Sequence, residues 1–247
     1  MADTASEWDI NAEARHKQIV SNVDVSYHKI LIPTILRLVG GISNKRVIDV
    51  GCGTGYLAAK IAPQASFVLG LDPSKGMIEV ANREYGHIPR LKFVKESIEG
   101  FSQNRTNIMF DAAISNMSLI TIPNLDEALK AVGSVLIPRG IFAINITHPC
   151  YYNQHRKYES QEDFQYIVSH AQKGQFIISE DAKGLPSPTT HYHRPLQEYF
   201  RSLREASFTI DQLIEPFPNQ SIQKLYTIPW KIPHFLSIRC FKTDSAS

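Results

Sequence analysis

The stretch Val47-Ile48-Asp49-Val50-Gly51-Cys52-Gly53-Thr54-Gly55-Tyr56 decides the fold. A short apolar run carrying one acid ends in three glycines spaced two apart. Such a run, closed by turn residues, reads as a buried strand. Glycine serves where the backbone bends sharply or lies against a ligand, because it has no Cβ to clash. Residues 55–63 then read as a helix. Strand, glycine turn and helix form the nucleotide-binding corner of an α/β sheet. The dinucleotide fingerprint is G-x-G-x-x-G. Here the glycines stand at 51, 53 and 55, and Tyr56 takes the last position, so that pattern fails and a nicotinamide dehydrogenase is disfavoured.

Outward from this corner, strand candidates fall at 46–50, 66–71, 91–95, 110–115 and 140–147. Helix candidates alternate with them at 55–63, 74–85 and 124–136. That alternation implies βαβ units and a mostly parallel sheet. Pro138-Arg139-Gly140 reads as a turn before the fifth strand. Upstream, residues 1–24 carry mixed charge and a few apolar anchors, including Trp8 and Ile19, and predict a short helix that orders over ligand. A stronger helix covers 27–38, with Ser26 as its cap and Gly40-Gly41 as its end. Residues 150–190 break the rhythm with polar and aromatic residues and a loop at 183–188. A helix at 195–206 and strands at 208–214 and 233–241 complete the chain. The organisation expected is a single domain over 1–247. It has an N-terminal helical segment (1–44), a core (45–149 and 195–247) and an inserted cap (150–194).

The 247 residues are 43% hydrophobic and 20% charged, an ordinary globular composition. A net charge of +2 lacks the basic excess of a nucleic-acid binder. Cys52, Cys150 and Cys240 are far apart, with neither metal spacing nor a disulfide framework, which suits a reducing, cytoplasmic setting. Residues 1–10 are polar and acidic, unlike a signal peptide. No apolar run approaches the roughly 18 residues of a membrane helix.

The G-x-G-x-G turn after an acidic strand resembles motif I of the S-adenosylmethionine-dependent methyltransferases. Their fold is α/β, a Rossmann-like seven-stranded mostly parallel sheet whose last strand inserts antiparallel. The resemblance is strongest over 45–147 and returns over 195–243. It implies S-adenosyl-L-methionine as cofactor and S-adenosyl-L-homocysteine as product. Gly51, Gly53 and Gly55 would let the backbone approach the methionyl part and ribose. Asp49 would either meet the cofactor's ammonium group or merely cap the turn. Asp72, closing Val68-Leu69-Gly70-Leu71-Asp72-Pro73-Ser74, would accept from both ribose hydroxyls, or act as an N-cap, or both. Met77 would pack on the adenine or join the core. In Phe93-Val94-Lys95-Glu96-Ser97-Ile98, Glu96 and Ser97 would meet the adenine edge, where the family more often carries Asp then Ala.

Phe110-Asp111-Ala112-Ala113-Ile114-Ser115-Asn116 resembles motif IV. Ser115 and its successors would line the space between methyl and acceptor, and Asn116 would orient either. A D/N-P-P-[YF] motif is absent, which argues against a base N-methyltransferase of that kind. Ile146-Thr147-His148-Pro149-Cys150-Tyr151 resembles the His-Pro-Cys element of bacterial small-molecule methyltransferases. His148 is then a candidate general base, or a loop histidine holding a carbonyl. Cys150 has no nucleophilic task in methyl transfer. His148, His191 and His193 lack the carboxylates of a metal site, so no metal is expected. The aromatic insert, with Tyr151, Tyr152, Tyr158, Phe164, Tyr166, Phe176 and Tyr192, would face the acceptor or form the cap's small core. Arg194 would bind an acceptor carboxylate or bridge the insert. The activity implied is methyl transfer to a small-molecule acceptor, of the kind met in secondary metabolism, by a monomer or homodimer away from membranes. An RNA or protein methyltransferase and a non-catalytic cofactor-binding subunit are the alternatives.

Overall fold

The computed structural model describes residues 3–104, 108–156, 164–178 and 183–243. Seven strands form one sheet in the order β3-β2-β1-β4-β5-β9-β8. They are β1 (Arg46–Val50), β2 (Phe67–Asp72), β3 (Leu91–Lys95), β4 (Phe110–Asn116), β5 (Leu136–Thr147), β8 (Phe208–Ile214) and β9 (Phe235–Lys242). The first five are parallel, and β9 inserts antiparallel between β5 and the edge strand β8. Chain order runs one way from β1 to β3 and resumes on the other side of β1 at β4. This reversal opens a crevice at the carboxyl ends of β1 and β4, where open α/β sheets bind ligands.

Both faces of the sheet are covered. Val47, Val68 and Ala112 feed one core, under α2 (Ile32–Val39), α3 (Tyr56–Ile61) and α4 (Lys75–Tyr85). Their neighbours Ile48, Leu69 and Ala113 feed the other, under α5 (Ile98–Asn104), α6 (Leu125–Val135) and α8 (Leu196–Glu205). Double coverage is why these strands read as continuous apolar runs rather than alternating ones.

Three local expectations change. Ser26 does not cap: it is helical itself, and its hydroxyl pairs with Tyr226 Oη at 3.1 Å. Asp24 Oδ1 instead accepts the Tyr27 N–H at 2.9 Å, and the helix opens with a π-helical turn, Tyr27–Leu31, before α2. Gly40, at φ +70°, ends α2. The expected 138–140 turn lies inside β5 as an irregularity: the register with β4 shifts between Phe110 and Ala112, and Arg139 takes a φ of +59°. The N-terminal helix α1 (Thr4–Val20) is long, at 17 residues.

Helix α1 joins two parts of the molecule. Toward the core, Asp9 Oδ1 accepts from Ser74 Oγ (2.6 Å) and the Gly76 N–H (2.8 Å) at the start of α4. Toward the insert, Glu7 accepts from the Thr190 N–H (2.7 Å) and hydroxyl (3.0 Å), and Asn11 exchanges bonds with the Ser187 backbone. The insert begins with the short helix α7 (Tyr152–His155) and carries a two-stranded antiparallel ribbon, β6 (His170–Gly174) with β7 (Thr189–His193). A last short helix, α9 (Gln220–Gln223), lies between β8 and β9. Tyr158 falls outside the described residues.

Candidate functional site

A cavity of about 320 Å³ lies at the carboxyl ends of β1 and β4, walled also by α1 and the insert. Its volume sits at the small end of ligand pockets, about 300–1,000 Å³. The glycine turn forms one end. The N–H groups of Gly51 and Cys52 both donate to Leu71 O, at 2.8 and 2.9 Å, fastening the turn to β2. Gly51 has a φ of +70°, and a Cβ there would stand 2.2 Å from Ser118 Cβ. Gly53 differs. A Cβ on it would meet only Met77 Sδ, at 3.9 Å, and would take up space in the cavity the residue lines. Gly55 stands behind the wall, at φ +82°, where a Cβ would collide with Phe93.

Asp72 lines the cavity beside this turn. Its two carboxylate oxygens accept from the Gly53 and Ser74 N–H groups, both at 2.9 Å. Each oxygen keeps a lone pair for a further donor. Burial pushes this carboxyl up to about 6, against the two N–H bonds, with Asp9's charge adding to the rise. The N-cap of α4 is Ser74, whose hydroxyl accepts the Met77 N–H at 3.1 Å, so Asp72 is not consumed as a cap. Asp49 does not line the cavity: it lies behind the wall, 1% exposed, and its Oδ2 has no hydrogen-bond partner among the described residues. Burial, then Asp72's charge, pushes it up to about 8. Two buried acids short of positive partners, beside a glycine cradle open to the cavity, suit a ligand with a diol and a cationic group. S-adenosylmethionine has both, so the residues fit it.

Met77, Glu96 and Ser97 line the same end. Glu96 Oε1 accepts from Asn104 Nδ2 at 2.8 Å, and Ser97 Oγ accepts the Gly100 N–H at 3.2 Å. At the exit of β4 the cavity meets Asn116 but not Ser115. Ser115 is fully buried, its hydroxyl 2.6 Å from Ser118 Oγ. Asn116 Oδ1 accepts from Asn145 Nδ2 at 2.8 Å, which fixes its amide. Met117 turns the chain at φ +67°.

Other expected site residues lie elsewhere. His148 is 3% exposed and outside this cavity, against a second cavity of about 10 Å³. Its Nε2 pairs with Glu215 Oε1 at 2.7 Å, while Nδ1 accepts the Cys150 N–H at 3.2 Å. Both ring nitrogens are engaged, so this arrangement leaves no lone pair for an acceptor's proton. Tyr151 is exposed and packs its ring on His148, at 4.6 Å. Tyr192 also stays outside the main cavity, with the Arg194 guanidinium 5.1 Å over its ring. Arg194 itself is buried and donates to the carbonyls of Leu119, Ile122 and Pro123. It fastens the turn after β4 and is not free for a carboxylate. Of Tyr151, Tyr152, Tyr192 and Arg194, Tyr152 is the one that lines the cavity.

Phe176, another of the insert's aromatics, also lines the cavity, and the sequence assigned no site role to His155, His234, Trp8 and Arg15, all in the cavity wall. Trp8 and Phe176 meet edge-on at 5.7 Å across α1 and the insert. Arg15, paired with Asp24 at 2.7 Å, lies over the rings of Tyr27 and Phe176. The signal for Trp8 was its size within an otherwise polar helix. His234 stands at the start of the segment 233–241, whose pattern reads only as a closing strand. His155 had no sequence signal. Among the described residues no group of three or more His, Cys, Asp or Glu is placed to hold a metal ion.

Residues 42–203 match the family model described as "Methyltransferase domain". The ubiquinone biosynthesis O-methyltransferase of Yersinia enterocolitica is 29% identical over 136 residues, 54% of this chain and 52% of that protein. The chain thus spans about half the length of the curated relatives it matches. An S-adenosylmethionine-dependent methyltransferase from Clostridium acetobutylicum shares the fold, with a TM-score of 0.62 at 19% identity over 95% of this chain and 99% of that one. DhpI, solved with S-adenosylhomocysteine, gives 0.60 at 18% identity over 98% and 96%. With the seven-stranded order, the glycine turn and a family match over more than half its length, the chain belongs to the S-adenosylmethionine-dependent methyltransferase family.

Proposed function

We propose that the protein transfers a methyl group from S-adenosylmethionine to a small-molecule acceptor held between Asn116 and the insert. The observation that carries this is Asp72, held by the Gly53 and Ser74 N–H groups with a lone pair on each oxygen at the cavity wall. The cofactor supplies an electrophilic methyl on a cationic sulfur. The chain's residues bind and align. Asp72 accepts from the ribose hydroxyls, Gly53 admits the nucleoside against the backbone, and Met77 and Glu96 flank the adenine. Asp49 gives the ammonium group a carboxylate charge behind the turn. Asn116, its oxygen tied to Asn145, keeps its N–H group for the acceptor. Helix α1 and the insert exclude water, which strengthens every charge interaction inside and fixes the in-line approach.

A small acceptor is supported by the cavity's volume and by the aromatic wall of Trp8, Tyr152 and Phe176. The name of the Yersinia relative supports oxygen as the receiving atom. An RNA or protein methyltransferase would be expected to present an open basic cleft, and the net charge of +2 speaks against it. The free Cys52, Cys150 and Cys240 agree with a reducing compartment such as the cytoplasm.

Calorimetry with S-adenosylhomocysteine, NADH and a short RNA tests the reading. Only the first should bind, and only it should raise the melting temperature, since a ligand of the native state stabilises it. Binding of NADH alone would overturn the cofactor.

A further inference from the structure

Among the described residues, His155, His191 and His234 are the histidines that line the cavity. His155 closes α7. Its ring stacks on His234 at 3.8 Å and 30°, and His234 stacks on Trp230 at 3.8 Å and 24°. The column has a firm base. Trp230 is 5% exposed, its backbone is tied to Gln223, and His234 O accepts the His148 N–H at 2.8 Å. His234 has both faces covered. His155 has one face covered, with Tyr152 tilted beside it at 6.2 Å, and is otherwise exposed at the cavity mouth. Neither of its ring nitrogens has a hydrogen-bond partner among the described residues, in contrast to the fully engaged His148.

Among the described residues, the groups facing this ring are few. Tyr152 stands on its own helix and Arg156 caps that helix, His234 stands on the segment before β9, and His191 of β7 lies across Tyr152 at 5.7 Å. None of these described groups is a carboxylate. Burial, then the Arg156 charge, lowers the His155 pKa, and so favours the neutral ring that can take a proton.

We propose that His155 is the general base for methyl transfer, and that the acceptor is a planar hydroxyl compound of the phenol class seated against Thr147, Tyr152 and His155. This rests on the methyltransferase reading above. In the step, the acceptor's O–H bond breaks and its proton bonds to a His155 ring nitrogen. The oxygen's electron pair forms the O–CH₃ bond. The methyl–sulfur bond breaks with its pair remaining on sulfur, so the sulfonium becomes a neutral thioether and the positive charge passes to the imidazolium. Exposure of His155 at the mouth lets it release the proton to water. A phenol suits a neutral imidazole better than an aliphatic alcohol does, because its proton is far more acidic. A planar ring also suits a wall of Tyr152, Phe176 and Trp8.

The test uses 4-nitrocatechol as probe, whose ionisation is visible by absorbance. With the S-adenosylhomocysteine-loaded wild type, the bound probe should ionise at a pH at least one unit below that of the free probe. In His155→Gln that shift should vanish while S-adenosylhomocysteine affinity, read by calorimetry, stays within twofold. With S-adenosylmethionine, methylation of the probe should fall roughly 10²–10⁴-fold in His155→Gln. Added imidazole should restore part of it in His155→Ala. The acid limb of the wild-type rate profile should lie below the ordinary histidine value and disappear in His155→Gln. Full activity of both variants, or a probe that fails to bind while S-adenosylhomocysteine binds, overturns the proposal and leaves the cofactor reading standing. Failure of S-adenosylhomocysteine itself to bind removes both.

Discussion

The two ends of the cavity respond to burial in opposite ways. At the glycine end burial acts on acids, raising Asp49 to about 8 and Asp72 to about 6. At the insert end it acts on imidazoles, lowering His191 to about 4 and His234 to about 3. At both ends burial therefore works against the charged form of the side chain. A positively charged ligand would relieve the cost at the first end by returning Asp49 to its ionised form and offsetting the buried charge of Asp72. It would gain nothing at the second, where an acceptor that donates a proton is the better match. The contrast assigns the sulfonium and ammonium groups to the glycine end and a neutral acceptor to the insert.

The glycine end also offers the largest expected effect. Gly51→Val would place a branched side chain at φ +70° and 2.2 Å from Ser118 Cβ. A β-branched residue is strongly disfavoured there, and Ser118 is held by Val50 O and Ser115. The variant should fail to give a cooperative melt. Gly53→Ala should fold with a loss of about 1 kcal/mol, since the residue sits at φ +54° but the new methyl meets only Met77 Sδ at 3.9 Å, yet lose S-adenosylhomocysteine binding because that methyl fills ligand space. If Gly53→Ala binds S-adenosylhomocysteine as tightly as the wild type, the glycine end is not the cofactor end. Asp72→Asn should act less severely. It keeps one acceptor for the Gly53 and Ser74 N–H groups but turns a donor toward the other. Loss of hydrogen bonds to a charged group costs about 1.5–3 kcal/mol, so calorimetry should show S-adenosylhomocysteine binding weakened about 10- to 100-fold.

How legible each end was in the sequence follows from how it is built. The glycine end comes from strand termini. A parallel register sets Asp49 opposite Gly70 and Asp72 opposite Lys95, so a pattern of strands and turns locates Gly53 and Asp72 without side-chain detail. Even so, the sequence could not tell Gly53, which faces the cavity, from Gly55, which faces Phe93. The insert end comes from segments far apart in the chain: Trp8, Tyr152 and Phe176, with His155 and His234. Periodicity says nothing about which of these meet. His148 looked better placed than His155 because it directly follows a strand, but Glu215, 67 residues away, captures its ring. Arg194 misled for the same reason: its partners Leu119, Ile122 and Pro123 lie more than seventy residues upstream.

The smallest expected effects are in stability against pH, and they probe the contrast between the ends directly. Asp49 has its folded pKa raised from 3.8 to about 8. Folding therefore favours its protonated form, and its contribution to stability declines as pH rises from about 4 to about 8. His234 has its folded pKa lowered from 6.5 to about 3. Unfolding then takes up a proton below pH 6.5, so its contribution is complete above that value and is lost as pH falls toward 3. Asp49→Asn should accordingly raise the urea midpoint at pH 8 and leave it nearly unchanged at pH 4. His234→Phe, which keeps a ring between Trp230 and His155, should reduce the loss of stability between pH 6.5 and pH 4 and do little at pH 8. Saturating S-adenosylhomocysteine should cancel the gain of Asp49→Asn at pH 8, because its ammonium group favours the ionised acid of the wild type. It should leave the His234→Phe effect in place. Slopes of the same sign for the two variants would break the contrast, and a gain in Asp49→Asn that persists with ligand bound would place the ammonium group away from Asp49.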